Sequence, residues 1–380
     1  MQPYALPTSD QLNVAALAGL FERTTTTYKF LFFHALLDEV CAPAPSLPLV
    51  SLEALAARML CLAWFPSEHC RLSFGKSDQM SVWLNEAREH ATLSGYPVGS
   101  AEYVDPAPFI RAFLETKRRP VKQLMDYVPF RLLTPFLAGG LVGVSDSAKN
   151  RRIEALAAGG FGDAVVPYRF VHGTASESMH IELARPWLDY FRTHVGILRG
   201  WCRWHWAQYM QARNPHAPNL VGRLFRPSQR ASLKAQTAFW ARQIERHEVR
   251  CPYTDAPLSS DSLSLDHVLP WSFVAHDELW NLVPVTPSCN SSKGSRIPRR
   301  SFVKPIANLH AQALVDERHH DRKRFERELT PYLAGLRLDA DLANASDTVF
   351  RAGVVDAYEA TLPTLFKLAA AEGFVAGWKP

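Results

Sequence analysis

The sequence predicts an α+β fold: a mainly helical N-terminal region with one small β-hairpin, a short segment at residues 251–298 where the chemistry-bearing residues are concentrated, and C-terminal helices. Three observations lead there. Apolar residues recur at helical spacing, behind Ser and Thr caps and ahead of Pro, through most of the first 213 positions. Only one pair of short alternating runs, 168–171 and 179–183, reads as strand, turn, strand. Helical patterns return after Pro298, over 305–330 and again over 345–378.

In order, a short helix is expected over 11–21. A threonine run, Thr24 to Thr27, then leads an apolar helix to about Val40. Proline-rich residues 42–48 break the chain, and Ser51 caps a helix over 52–63 that Phe65-Pro66 should end. Residues 77–93 and 106–137 read as helices, the second interrupted by Pro120 and Pro129, with Phe109, Phe113, Leu124, Met125 and Phe130 as core. Gly139, Gly140 and Gly143 mark a break before the hairpin. A long helix over 186–213 ends at Asn214-Pro215; Trp201, Trp204 and Trp206 recur along it as packing residues, and His205 reads as structural. A linker and a basic helix over 228–247 deliver the chain to Cys251. The adjacent His319 and His320 face different directions on a helix, which argues against a shared metal.

With 380 residues, the chain has room for two or three domains, with boundaries expected at 1–220, 221–305 and 306–380. Its six cysteines are sparse and form no framework, which suits a reducing cytoplasm. Residues 1–13 lack the basic and apolar regions of a signal peptide. No apolar run reaches membrane-spanning length: 30–37 is too short, and Arg58 interrupts 54–65. A soluble, cytoplasmic protein with no membrane partner is expected.

The net charge of +5 is too mild to identify a partner, so its distribution matters more. Between residues 221 and 250 seven Arg or Lys stand against Glu245 and Glu248, and a second cluster, Lys293, Arg296, Arg299, Arg300 and Lys304, follows. Bases on both sides of one segment suit contact with a phosphate backbone. Arg230, Lys234, Arg242, Arg296, Arg299 and Arg300 are the candidates for that contact.

Between the two clusters stand Asp266-His267, Asn281, Asn290 and Lys293. Asp supplies a hard anionic oxygen and Asn a neutral one, the ligands that suit Mg²⁺. A histidine can take a proton from water near neutral pH. Together these make a minimal set for metal-assisted attack of water on a phosphodiester.

The whole pattern Asp266-His267-x-x-Pro270-x-Ser272, Asn281-Leu282-Val283, Cys289-Asn290-x-x-Lys293-Gly294 resembles the HNH endonuclease domain, a ββα-metal fold. The HNH module of RNA-guided nucleases looks like the same zinc-free layout. The resemblance implies His267 as general base, Asp266 and Asn290 as ligands of Mg²⁺ or Mn²⁺, Asn281 as a brace for the loop and imidazole, and Lys293 near the phosphate. It departs from zinc-bearing relatives, because each Cys-x-x-Cys pair keeps one cysteine, Cys251 or Cys289, and has Thr254 or Thr286 in the other slot. Threonine is not a structural zinc ligand, so no such zinc is expected, and the two cysteines should be small buried residues.

The activity implied is a DNA nickase, and the arrangement resembles bacterial antiphage nucleases of restriction-like or Zorya type, with other proteins of a defence system as partners. The rivals are a mobile-element or homing nuclease, a catalytically silent nucleic-acid-binding module, and an RNA substrate.

Overall fold

Residues 30–37 are strongly apolar, and a helix apolar on every side belongs at the centre of its unit. The structure, a computed structural model, describes residues 6–42, 49–97, 103–117, 119–172, 179–227 and 231–380. It divides into two compact units, Met1–Pro215 and His216–Pro380. In the first, α1 (Val14–Ala18) leads to α2 (Tyr28–Val40), whose residues 30–37 are at most 3 % exposed. Thr27 does not cap this helix with its own side chain. Instead Asp78 Oδ2 accepts both the Thr27 N–H and its hydroxyl at 2.7 Å, while Oδ1 accepts the Met80 N–H at 2.9 Å. One buried carboxylate thereby serves the starts of two helices, where the helix dipoles favour negative charge.

After strand β1 (Leu49–Ser51), Ser51 caps α3 (Leu52–Trp64) as its sequence predicts, accepting from the N–H groups of Glu53 and Ala54. Pro66 does not stop the helix at once. The chain widens into a π-turn, Phe65–His69, before Arg71 adopts a left-handed φ of 56°. Beyond α4 (Met80–Leu93), the interrupted helix expected over 106–137 is three: α5 (Ala107–Thr116), α6 (Arg119–Met125) and α7 (Val128–Leu132). Pro120 and Pro129 each sit in the first turn of a new helix, where a missing N–H costs little. The five core residues named from this stretch are all buried.

Sequence reading passes over α8 (Asp146–Gly160), which buries only Ile153 and Ala157, too thin an apolar stripe to announce a helix. The hairpin is present as β2 (Tyr168–His172) and β3 (Met179–Leu183); its turn, 173–178, and the proline-rich break at 43–48 lie outside the described residues. The pair does not stand alone. Strand β1 joins the far edge of β3, giving an antiparallel sheet in the order β1-β3-β2. A two-stranded hairpin is marginal in water, and the third strand removes that weakness. The long helix breaks at His194 into α9 (Arg185–Thr193) and α10 (Val195–Arg213); Trp201 and Trp206 are buried, while Trp204 is 46 % exposed.

The second unit runs through α11 (Leu220–Leu224), α12 (Lys234–Arg246), β4 (Ser264–His267), α13 (Trp271–Val274), β5 (Leu282–Val285) and α14 (Pro287–Lys293). Residues 250–257 close a turn of their own through an Arg250–Pro257 bridge, and the hairpin pairs β4 with β5, with Asp266 opposite Val283. The helix expected over 305–330 is two, α15 (Val303–His320) and α16 (Arg322–Gly335). Asp321 ends the first and caps the second by accepting the Arg324 N–H. The last helix is α17 (Asp347–Ala371).

One core joins these pieces, with Trp240, Val283, Leu314, Phe325, Phe350 and Tyr358 among its members. Gly335 marks its tightest approach, since a Cβ there would lie 2.1 Å from Trp280 Nε1. The C-terminal residues return to the segment after α14: Ile297 N–H donates to Val375 O (2.8 Å), Trp378 N–H to Ile297 O (3.0 Å), and Arg299 N–H to Trp378 O (3.0 Å). The ββα segment is therefore built into a larger unit, as expected for a piece too short to bury a core of its own. Among the described residues no helix is long and apolar enough to cross a membrane.

Candidate active site

Strand β4 carries Asp266 and His267 as its last two residues, the first buried and the second 15 % exposed. Helix α14 docks on this strand through two side chains one turn apart. Asn290 Nδ2 donates to Ser264 Oγ (2.8 Å) and Leu265 O (3.1 Å), and Lys293 Nζ donates to Asp266 Oδ1 (3.1 Å) and His267 O (2.6 Å). A carbonyl oxygen can only accept, so the Asn290 amide has its nitrogen toward the strand and its Oδ1 available on the other side. Thr286 caps the helix by accepting from the Cys289 N–H, and Gly294 ends it at φ 52°.

Asp266 is 2 % exposed and takes a second hydrogen bond, from the Tyr253 hydroxyl to Oδ2 at 2.9 Å. Burial pushes its carboxyl above the usual range, against the pull of the Lys293 ammonium. Burial and the neighbouring Asp266 push the Tyr253 phenol well above its ordinary value, so it acts as a neutral donor. Asn281, fully buried, braces the chain after His267: its Oδ1 accepts the Leu269 N–H (2.8 Å), its Nδ2 donates to Leu269 O (3.0 Å), and its backbone O accepts the Val268 N–H (2.9 Å). The brace acts on the loop, and the imidazole is held by another group. His267 Nε2 lies 2.8 Å from Asp277 Oδ1.

Asp277 and Tyr253 are the residues that sequence reasoning missed. Asp277 stands in a polar island, His276-Asp277-Glu278, inside an apolar stretch, and that island was the available signal. Tyr253 shares a strand-like i, i+2 spacing with Cys251, which gives no hint of a partner at Asp266.

A divalent cation fits this donor set by chemistry: Asp266 offers carboxylate lone pairs beyond its two present contacts, and Asn290 offers its amide oxygen. Among the described residues, no group of three or more His, Cys, Asp or Glu is placed to hold a metal. One carboxylate and one amide suit a hard ion that keeps several waters. Cys251 and Cys289 are buried free thiols, and burial pushes Cys289 up to about 12. The threonines in the partner slots have other work: Thr254 Oγ1 accepts the Ala256 N–H, and Thr286 is the α14 cap.

The predicted phosphate contacts divide. Lys234, Arg296, Arg299 and Arg300 are exposed. Arg242 is committed to Glu317 (2.9 Å) and Glu328 (2.7 Å), so its charge is spent inside the unit. Arg230 lies outside the described residues.

No curated protein and no solved structure matches the chain. Residues 251–299, the stretch from Cys251 through Arg299 that holds Tyr253, Asp266, His267, Asp277, Asn281, Asn290 and Lys293, match the family model described as HNH endonuclease. That stretch, set within the unit His216–Pro380, is therefore similar to the HNH endonuclease family.

Proposed function

We propose that the protein is a metal-dependent DNA endonuclease that nicks one strand of a duplex by His-activated attack of water on a phosphodiester. The observation that carries this reading is the docking of α14 on β4: Lys293 bonds Asp266 and the His267 carbonyl, and Asn290, one turn earlier, bonds Ser264 and the Leu265 carbonyl of the same strand. His267 takes the proton of the attacking water. Asp266 and Asn290 would hold Mg²⁺ or Mn²⁺, which when bound supplies positive charge against the phosphate and the leaving 3′ oxygen. Tyr253 and Lys293 orient Asp266, and Asn281 fixes the backbone that follows the base. Exposed Lys234, Arg296, Arg299 and Arg300 take backbone phosphates, which position DNA without reading its sequence. One site makes one cut, so the expected product is a nicked circle with 5′-phosphate and 3′-hydroxyl ends.

The test is plasmid nicking in Mg²⁺ or Mn²⁺. His267→Ala should lower the rate by about 10²-fold or more while DNA affinity is kept. Binding without cleavage by the wild type in either metal would instead leave a nucleic-acid-binding module, and preferential cutting of RNA would change the substrate. We further propose a cytoplasmic role in antiphage defence of restriction-like or Zorya type, with partner proteins of that system. Support comes from the pairing of a nuclease domain with a separate helical unit of 215 residues, which is analogy of arrangement. Equal plaque counts with wild type and His267→Ala, expressed with neighbouring genes, would refute that role.

A further inference from the structure

The imidazole of His267 and the carboxylate of Asp277 are mostly buried, 15 % and 11 % exposed, and meet at 2.8 Å. An ionised carboxylate only accepts, so Nε2 carries the hydrogen in this pair. In neutral imidazole the other nitrogen, Nδ1, is then the acceptor, the atom able to receive a proton.

The segment that presents Asp277 is held from several sides. The Ala275 N–H closes α13 onto Trp271 O (2.6 Å), and Ala275 adopts a left-handed φ of 50° that turns the chain. Asn219 Nδ2 donates to Ala275 O (2.8 Å). Gln236 Nε2, from α12, donates to Asp277 O (2.8 Å). The Asn281 N–H donates to Glu278 O (3.0 Å). A loop needing only to reach β5 would not require so many tethers around one carboxylate.

We infer that Asp277 is a positioning residue of the nuclease site, which fixes His267 in the Nε2–H tautomer and presents Nδ1 to the attacking water. This rests on the nuclease reading above. A base with two free tautomers and a rotating ring spends part of its time with the wrong nitrogen toward the reacting atoms, and a carboxylate partner removes that loss. Asp277 touches neither substrate nor metal in this account, and acts only through the ring.

The test uses the full chain with two readouts. In single-turnover nicking, Asp277→Ala should cut about 10²-fold more slowly, with Kd for DNA unchanged and the rate partly restored in Asp277→Glu. In ¹⁵N spectra of histidine-labelled protein, wild-type His267 should show the Nε2–H tautomer, and Asp277→Ala a mixture. If Asp277→Ala does not fold, near-isosteric Asp277→Asn takes its place in both measurements. A folded variant cutting at the wild-type rate, a loss confined to DNA affinity, or a wild-type Nδ1–H tautomer would each overturn the inference. Undiminished nicking by His267→Ala would instead show that the base lies elsewhere and remove the part of the nuclease reading on which the inference rests, while the ¹⁵N signal would still report on the pair.

Discussion

Arg223, Arg242 and Arg246 ahead of the site and Arg296, Arg299, Arg300 and Lys304 behind it look alike in sequence, yet the second unit uses these two groups in opposite ways. Ahead of it, Arg223 is fully buried against Glu372, Arg242 pairs with Glu317 and Glu328, and Arg246 pairs with Asp316 (2.6 Å) and Glu317 (3.3 Å). Behind it, Arg296, Arg299, Arg300 and Lys304 are exposed, and among the described residues no carboxylate pairs with any of them. The acids of α15 and α16 account for much of this difference: Glu317 is fully buried and Asp316 nearly so, and only neighbouring bases make such burial tolerable. A cluster of positive charge therefore has two readings, glue or phosphate contact, and the distant acids decide between them.

The comparison can be broken most directly at Glu317. Replacing it with Gln should destabilise the second unit by about 3–5 kcal/mol, because Arg242 and Arg246 lose a buried counter-charge. Calorimetry should register a lower melting temperature, and an unchanged one would mean the inward cluster is not glue. Smaller and more discriminating is the pair Arg242→Ala and Arg300→Ala. The first should lower stability and leave the salt dependence of DNA binding alone. The second should leave melting alone and reduce the slope of log K against log salt by about one. Exchanged outcomes would reverse the assignment of the two clusters.

The mildest effect is on acid stability. Burial works against the charge of Asp316, yet hydrogen bonds from His247 and Arg246 and the nearby His320 hold its carboxyl below the usual range. A carboxyl lowered on folding stabilises the protein above its unfolded value, about 3.9, and that contribution is lost as pH falls through the folded value. Urea midpoints of wild type should therefore drop more steeply below about pH 4 than those of Asp316→Asn.

What the sequence made legible was local. Asp266, His267, Asn281, Asn290 and Lys293 sit at fixed offsets because a short hairpin and one helix turn must bring them together, and such offsets survive in one dimension. Ser51 as a cap and Pro120 and Pro129 as breaks were readable for the same reason. The partners of Arg242 were not, since Glu317 and Glu328 lie 75 and 86 positions away. Strand β1 was equally hidden, because its register with β3 spans more than a hundred residues. Asp277 was close in sequence, but three adjacent polar residues gave no means of choosing the one that turns toward the imidazole.

The return of residues 375–378 to Ile297 and Arg299 has a practical consequence. The loop bearing Arg296, Arg299 and Arg300 is stitched in place by residues 375–378, so deleting those residues would slacken the backbone that presents these exposed guanidinium groups.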